Sequence, residues 1–183
     1  MVAQDIWSWA ISRNNYLTSA HIPGKINVEA DLESRKVEFH MEWKLKPSLF
    51  EHACRVLNFY PEVDLFASRL NNQLPNFFSY RPDPKCIGVD AFSETWDMPF
   101  YAFPPFATLP RVIQKIEFDK SQGILITPDW PSQPWYTRLK YITIQSTILF
   151  PRNDMLSLPS NSQAEHPLAE KLHLRCSLVS GRI

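Results

Sequence analysis

The feature that most constrains the fold is an alternation between short apolar runs and longer stretches whose apolar residues recur at helical spacing. This alternation extends from residue 47 to residue 150. It predicts strands near 62–67, 77–81, 100–103, 123–130 and 143–150, and helices near 46–59, 109–120 and 135–142. Because strands that alternate with helices usually pair in parallel, we expect an α/β fold with a mostly parallel sheet.

Glycine and proline content narrows the classes of function. The chain has 16 prolines but only four glycines, at positions 24, 88, 123 and 181. Loops that hold the phosphates of dinucleotides or nucleoside triphosphates need several glycines within one turn, and no two glycines here lie close together. The sequence therefore excludes the Rossmann dinucleotide loop and the P-loop.

Charge and cysteine content bear on partners and compartment. Lys and Arg total 19, as do Asp and Glu, so a contact with nucleic acid would have to come from a local basic patch. Cys54, Cys86 and Cys176 are odd in number and widely spaced, which argues against a disulfide framework and indicates an intracellular location. No apolar run approaches the roughly 18 residues of a membrane span, so we expect no membrane association.

The N-terminal residues are predicted to form a short α-β-α unit, with a helix over 3–14, a strand over 16–22 and a helix over 27–35. The strand, turn and second helix contain the stretch HIPGKINVEADLESR. This stretch resembles the end of the ribonuclease H domain in retroelement polyproteins, where the pattern is approximately HIPGxxNxxADxxSR. The matching residues are His21, Ile22, Pro23, Gly24, Asn27, Ala30, Asp31, Ser34 and Arg35.

The resemblance implies a metal-binding role for Asp31, as one of four carboxylates that hold two Mg²⁺ ions. The other three carboxylates of the family precede this helix, and here the preceding acid is Asp5, inside the first predicted helix. Two metal ions cannot be held by one carboxylate. We therefore expect residues 1–36 to be a ribonuclease H remnant without hydrolytic activity.

The rest of the chain resembles the region that follows ribonuclease H in DIRS-like retrotransposons. The segments that carry the resemblance are VDLFASRLNNQLPNFFSYRPDP, GVDAFSETW, YAFPPF and GILITPDWPSQPWY. Those elements encode a reverse transcriptase, a ribonuclease H and a Dam-like adenine methyltransferase domain. The resemblance implies an internal slice of such a polyprotein, with a linker over 37–46, a methyltransferase-like domain over 47–150 and a connector or tail over 151–183.

Two sites follow from the resemblance to methyltransferases. Asp64 would lie near the methyl donor, S-adenosylmethionine, and Phe103-Pro104-Pro105-Phe106 would replace the family's N/D-P-P-Y/F motif. In the family a flipped adenine stacks on the last aromatic residue, while the first side chain and a proline carbonyl accept hydrogen bonds from its amine. Phe106 and the carbonyl of Pro104 keep their parts of this arrangement, but Phe103 has no acceptor, and an unmatched amine costs about 1–3 kcal/mol.

Three functional interpretations remain open from the sequence. The first is a catalytically incomplete polyprotein fragment that contacts DNA or an RNA–DNA hybrid, or the remaining parts of the polyprotein. The second is an S-adenosylmethionine-dependent adenine N6-methyltransferase, and the third is a host-adopted interaction module without a nucleic-acid role. We expect no cofactor in the fragment itself, although the two families imply Mg²⁺ and S-adenosylmethionine. Whether the chain is an enzyme is left open.

Overall fold

The computed structural model of the chain describes residues 12, 43–149, 154–159, 164–166, 169 and 171–182. The chain divides into two units, Met1–Val37 and Glu38–Ile183. Of the predicted α-β-α unit, only Ser12, which is helical, is described. Asp31 and its predicted metal-binding role lie outside the described residues.

The second unit contains three helices and nine strands within its described residues. The helices are α1 (Pro47–Leu57), α2 (Leu109–Asp119) and α3 (Pro134–Ile142). Each has a proline in its first turn, where the missing N–H has no helical partner to lose. The strands are β1 (Lys44–Leu45), β2 (Val63–Asp64), β3 (Phe78–Ser79), β4 (Gly88–Val89), β5 (Phe100–Ala102), β6 (Gln122–Pro128), β7 (Thr143–Ile148), β8 (Leu156–Ser157) and β9 (Leu174–Ser180).

Five of these strands form the main sheet, in the order β2-β5-β6-β9-β7. β2 pairs with β5 and β5 with β6 in parallel, whereas β9 is antiparallel to both of its neighbours. The structure therefore confirms an α/β fold, and its main sheet is mixed, with two parallel and two antiparallel pairings. β3 and β4 form a separate two-stranded sheet, and so do β1 and β8.

Helices cover both faces of the main sheet. α1 buries Leu49 and Leu57 on one face, together with Ile124 and Ile126 of β6. α2 and α3 cover the opposite face, where Leu125 lies among their apolar side chains. Because successive side chains of a strand point to opposite faces, β6 supplies both cores and is buried from end to end of its apolar run.

The expectation of a tail after residue 150 is wrong for β9, which lies in the interior of the sheet. β9 pairs with β6 over seven residues and with β7 on its other side, and Leu174, Cys176 and Val179 are fully buried. The sequence LAEKLHLRC suggested a short helical patch near 167–175 because it is rich in helix formers. Pairing with two neighbouring strands overrides that local preference.

The predicted linker also contributes to the core. Lys44 and Leu45 form β1, which pairs with β8, and the Leu45 side chain is fully buried beside α1. The surrounding sequence, RKVEFHMEWKLK, is strongly charged and has no clear period, so one buried position within it carries no sequence signal. The packed domain therefore begins before residue 47.

The burial of β9 can be tested by replacing one buried and one exposed aliphatic residue with alanine. Leu174→Ala should lower the free energy of unfolding by about 2–5 kcal/mol, because Leu174 is fully buried. Ile144→Ala, in a strand but 52% exposed, should cost less than about 1 kcal/mol. Equilibrium urea unfolding measures both. Equal, small effects would show that residues 174–180 are not part of the core.

Candidate functional site

The candidate site lies where β2, β5 and β6 end at one edge of the sheet. Asp64 is the last residue of β2, the segment Phe103–Phe106 follows β5, and Asp129 and Trp130 follow β6. We call this region the carboxyl edge. Ligands of open α/β sheets bind outside the carboxyl ends of parallel strands. Because Asp64 pairs with Tyr101, the structure brings the two predicted methyltransferase sites to neighbouring strands.

The Asp64 side chain is 2% exposed and accepts hydrogen bonds from the loop that follows it. One carboxylate oxygen accepts the backbone N–H of Gln73 at 3.0 Å, and the other lies 3.4 Å from the backbone nitrogen of Phe66. The Asp64 amide also donates to the carbonyl of Asn76 at 2.9 Å. Asp64 therefore holds the loop over 65–77 against the sheet, and its carboxylate faces backbone amides.

Burial dominates the electrostatics of this residue. Desolvation raises the pKa of Asp64 to about 7, although the loop amides and the nearby Lys44 ammonium act in the opposite direction. Burial, followed by the charge of Asp64, also keeps the pKa of Tyr101 well above its usual value. The Tyr101 hydroxyl is buried without a hydrogen-bond partner of good geometry among the described residues, and the Gln73 amide donates to the carbonyl of Leu45.

Three half-buried aromatic residues stand along the carboxyl edge, and we call Phe103, Phe106 and Trp130 the edge aromatics. The ring centroids of Phe103 and Phe106 are 6.2 Å apart. The Phe106 and Trp130 rings meet edge to face at 5.3 Å. Phe106 and Trp130 also pack against the cores on both faces of the sheet. The edge therefore has an aromatic surface that is fixed by the core and partly open to solvent.

The carbonyl groups of Pro104 and Pro105 differ in whether they already accept hydrogen bonds. The carbonyl of Pro105 accepts both the backbone N–H of Thr108 at 2.9 Å and its hydroxyl at 2.7 Å, which closes the turn before α2. No described residue donates a hydrogen bond to the carbonyl of Pro104. The acceptor predicted at Pro104 is therefore free within the described chain, whereas the Phe103 ring offers none.

A polar network next to Trp130 was not predicted from the sequence. The Tyr136 hydroxyl donates to Asp129 at 2.7 Å, and the guanidinium of Arg175 donates to the same carboxylate oxygen at 3.1 Å. Burial by itself would raise the pKa of Asp129, but the hydrogen bonds from Tyr136 and Arg175 prevail and lower it. Arg175 also donates to the Ser146 hydroxyl at 2.9 Å. The network joins β6, α3, β7 and β9 and fixes the loop that carries Trp130.

One signal for this network was present in the sequence. Asp129 and Trp130 directly follow an apolar strand, and a polar residue at such a strand end is a candidate for the carboxyl edge. Arg175 carried no such signal because its segment was assigned to a tail. The Tyr136 ring packs in the core, and its hydroxyl belongs to the network.

A groove of about 440 Å³ extends from Phe106 between the N-terminal ends of α2 and α3. Its walls are mainly apolar, with Pro110, Pro134 and Trp135 among the lining residues. Arg138 lies at the rim and forms an ion pair with Glu117 of α2. The groove enlarges the apolar surface that begins at the edge aromatics.

The residues at the carboxyl edge do not fit the methyl donor that the methyltransferase family implies. Asp64 has the position of the donor-binding acid, but its oxygens face the amides of its own loop. Metal ligands are likewise lacking among the described residues, which contain no cluster of three His, Cys, Asp or Glu side chains suited to a metal ion. The predictions for Mg²⁺ at Asp31 and for S-adenosylmethionine at Asp64 therefore stay predictions from resemblance.

Comparison with protein-family models and with curated proteins finds no match for this chain. Among the described helices, none is both long enough and apolar enough to cross a bilayer. Function is therefore inferred from the geometry of the carboxyl edge and of the surfaces next to it.

The raised pKa of Asp64 predicts a specific pH dependence of stability. The folded state holds a proton on Asp64 up to about pH 7, whereas the ordinary value is 3.8. Its contribution to stability is therefore fully present below pH 3.8 and is lost as the pH rises through about 7. Relative to Asp64→Asn, the free energy of unfolding of the unmodified chain should fall by at most about 1.4 kcal/mol per pH unit across this range.

Urea unfolding between pH 5 and pH 8 measures this difference. Asn also loses one acceptor for the loop amides, which shifts the whole curve without changing its slope. Asp97→Asn, at an exposed aspartate, is the control and should leave the pH dependence unchanged. Parallel curves for the unmodified chain and Asp64→Asn would contradict the buried, protonated state of Asp64.

Proposed function

We propose that the second unit is a methyltransferase-like module of a retroelement polyprotein, and that it contacts nucleic-acid bases without transferring methyl groups. The main support is the arrangement of the carboxyl edge. Asp64 ends β2, the segment Phe103–Phe106 follows the neighbouring parallel strand β5, and α2 and β6 come next along the chain. Two sites taken from separate parts of the sequence thus share one edge, as a common ligand would require.

The edge aromatics support contact with an unstacked base. A base that is flipped out, or that belongs to a single strand, exposes a face that can stack on an aromatic ring, which contributes about 1–3 kcal/mol per base. Phe106 and Trp130 are half-buried, so part of each ring faces solvent while the core fixes its position. The free carbonyl of Pro104 lies in the same segment and can accept a hydrogen bond from an exocyclic amine.

The same residues argue against methyl transfer. The amine needs two acceptors to become more nucleophilic, and the Phe103 side chain supplies none. A donor held at the end of β2 would need the Asp64 carboxylate, which the amides of Phe66 and Gln73 already use. An active adenine methyltransferase would therefore require the loop to release the Asp64 carboxylate. It would also require an acceptor other than the Phe103 side chain.

The second alternative, an interaction module without a nucleic-acid role, has one supporting observation. Phe118 on α2 is 82% exposed, and Tyr141 on α3 is also largely exposed. Large apolar side chains at the surface are found at protein interfaces, although single ones are common. Binding that weakens as salt rises would favour nucleic acid over this alternative.

The proposal predicts that Phe106→Ala combined with Trp130→Ala weakens binding to a single-stranded DNA oligonucleotide. Loss of one stacked base should reduce affinity by about tenfold or more, since stacking contributes about 1–3 kcal/mol per base. Fluorescence anisotropy with a labelled oligonucleotide measures the dissociation constant.

Phe118→Ala is the matched control, because it removes an exposed phenylalanine from the end of α2 opposite to the carboxyl edge. Circular dichroism and urea unfolding establish that each variant is folded. The proposed function is wrong if the unmodified chain does not bind the oligonucleotide, or if the control variant loses as much affinity as the double variant.

A further inference from the structure

The segment between β2 and β5 forms a distinct surface beside the carboxyl edge. It contains β3 and β4 and is held to the sheet by a bridge between Asp64 and Phe77. Within the segment, the Ala67 amide donates to the carbonyl of Phe78 at 3.1 Å. Three cations of this segment, Arg69, Arg81 and Lys85, are exposed. We call these three residues and Tyr80 the loop surface.

Asp83 brings two of the cations of the loop surface together. Its two carboxylate oxygens accept the backbone N–H groups of Arg69 at 3.1 Å and of Lys85 at 3.2 Å. Arg81 is two residues away, and its carbonyl accepts the Ser79 hydroxyl. The backbone is thus fixed at all three positions while the charged ends of the side chains extend into solvent.

The cations of the loop surface have no carboxylate partner among the described residues. The ion pairs of the described chain involve other cations, at Lys46, Lys115, Arg138 and Arg175. Across Phe66–Asp90 three cations stand against two carboxylates, and both carboxylates are bonded to backbone amides. In a chain with a net charge of zero, the loop surface is therefore a local basic patch.

An exposed aromatic side chain lies next to one of the cations of the loop surface. Tyr80 is 83% exposed and directly precedes Arg81. Surfaces that bind single-stranded nucleic acid combine cations along the backbone with aromatic rings on which bases stack. An acidic peptide would satisfy the charges but would give the Tyr80 ring no comparable partner, so a nucleic-acid strand fits both features better.

Phe66, Phe92 and Arg111 form a chain of contacts from the segment after β2 to the first turn of α2. Phe66, which follows β2, lies 5.3 Å from Phe92, centroid to centroid. The Arg111 guanidinium stacks on Phe92 at 3.8 Å from the ring centroid. Arg111 lies in the first turn of α2, shortly after Phe106. These contacts contain one cation and two aromatic rings and no acidic side chain.

We propose that the loop surface binds the phosphate backbone of a single nucleic-acid strand whose bases reach the edge aromatics. This inference rests on the proposed function, since it assigns the phosphate-binding part of the same contact. It adds that the phosphate groups of the strand are recognised away from the carboxyl edge, and that the loop surface recognises them. It also accounts for nucleic-acid binding by a protein with no overall positive charge.

The test is a comparison of two triple variants of the full 183-residue chain, with single-stranded oligothymidine as the probe. The first variant replaces Arg69, Arg81 and Lys85 with Ala. The control replaces three exposed cations outside the loop surface, Arg55, Lys140 and Lys171, so that both variants have the same net charge. The dissociation constant is measured over a range of salt concentrations, together with that for a duplex of equal length.

The two variants should differ in the salt dependence of binding. Each phosphate contact contributes about 0.7 to the slope of log K against log salt for a single strand, so loss of three contacts should reduce the slope by about 2. The control should keep the slope of the unmodified chain. If the loop variant also keeps it, the inference about the loop surface is wrong, whereas the proposed function still stands if the edge variant loses affinity. Tighter binding to the duplex would overturn the single-strand assignment.

Cys86 provides a second measurement that needs no substitution. It is half-buried within the same segment, whereas Cys54 and Cys176 are buried. This partial exposure makes Cys86 the described cysteine that an alkylating reagent reaches most easily in the folded chain. Saturating oligothymidine should slow alkylation of Cys86 in the folded chain. An unchanged rate at saturation would contradict binding at the loop surface.

Discussion

The buried carboxylate of Asp64 is the interaction on which the arrangement of the carboxyl edge depends. Its hydrogen bonds with the amides of Phe66 and Gln73 hold a long loop against an edge strand of only two residues. Pairing with Tyr101 places the same residue beside the segment after β5. Because the Asp64 side chain is 2% exposed and its oxygens face the amides of its own loop, it serves the loop in this structure.

Under the proposed function, the surfaces of this loop and its neighbours recognise a nucleic-acid strand and do not carry out chemistry on a base. Phe106 and Trp130 offer rings fixed by the core, and the network around Asp129 holds the Trp130 loop through strong, charge-assisted hydrogen bonds. The loop surface supplies exposed cations that form no ion pair within the part of the chain that the structure describes. Stacking would act at the edge and phosphate binding beside it, and neither requires a cofactor.

Local patterns in the sequence were sufficient to predict the three α-helices and β6. α1, α2 and α3 were predicted because their apolar residues recur at helical spacing, and β6 because its apolar run is long. β9 could not be predicted, since its polar and helix-forming neighbours hide a strand that pairing with β6 creates. The site was predicted in part: Asp64 and Phe103–Phe106 came from resemblance, whereas the contact between Arg175 and Asp129 depends on β9 lying inside the sheet.

The claim that Asp64 serves the fold rather than a methyl donor is tested most directly by calorimetric titration of the full chain with S-adenosylmethionine. We expect no detectable heat of binding beyond dilution at neutral pH, because the carboxylate is buried and bonded to its own loop. A saturable heat at one donor per chain, removed by Asp64→Asn in a variant that remains folded, would contradict this claim.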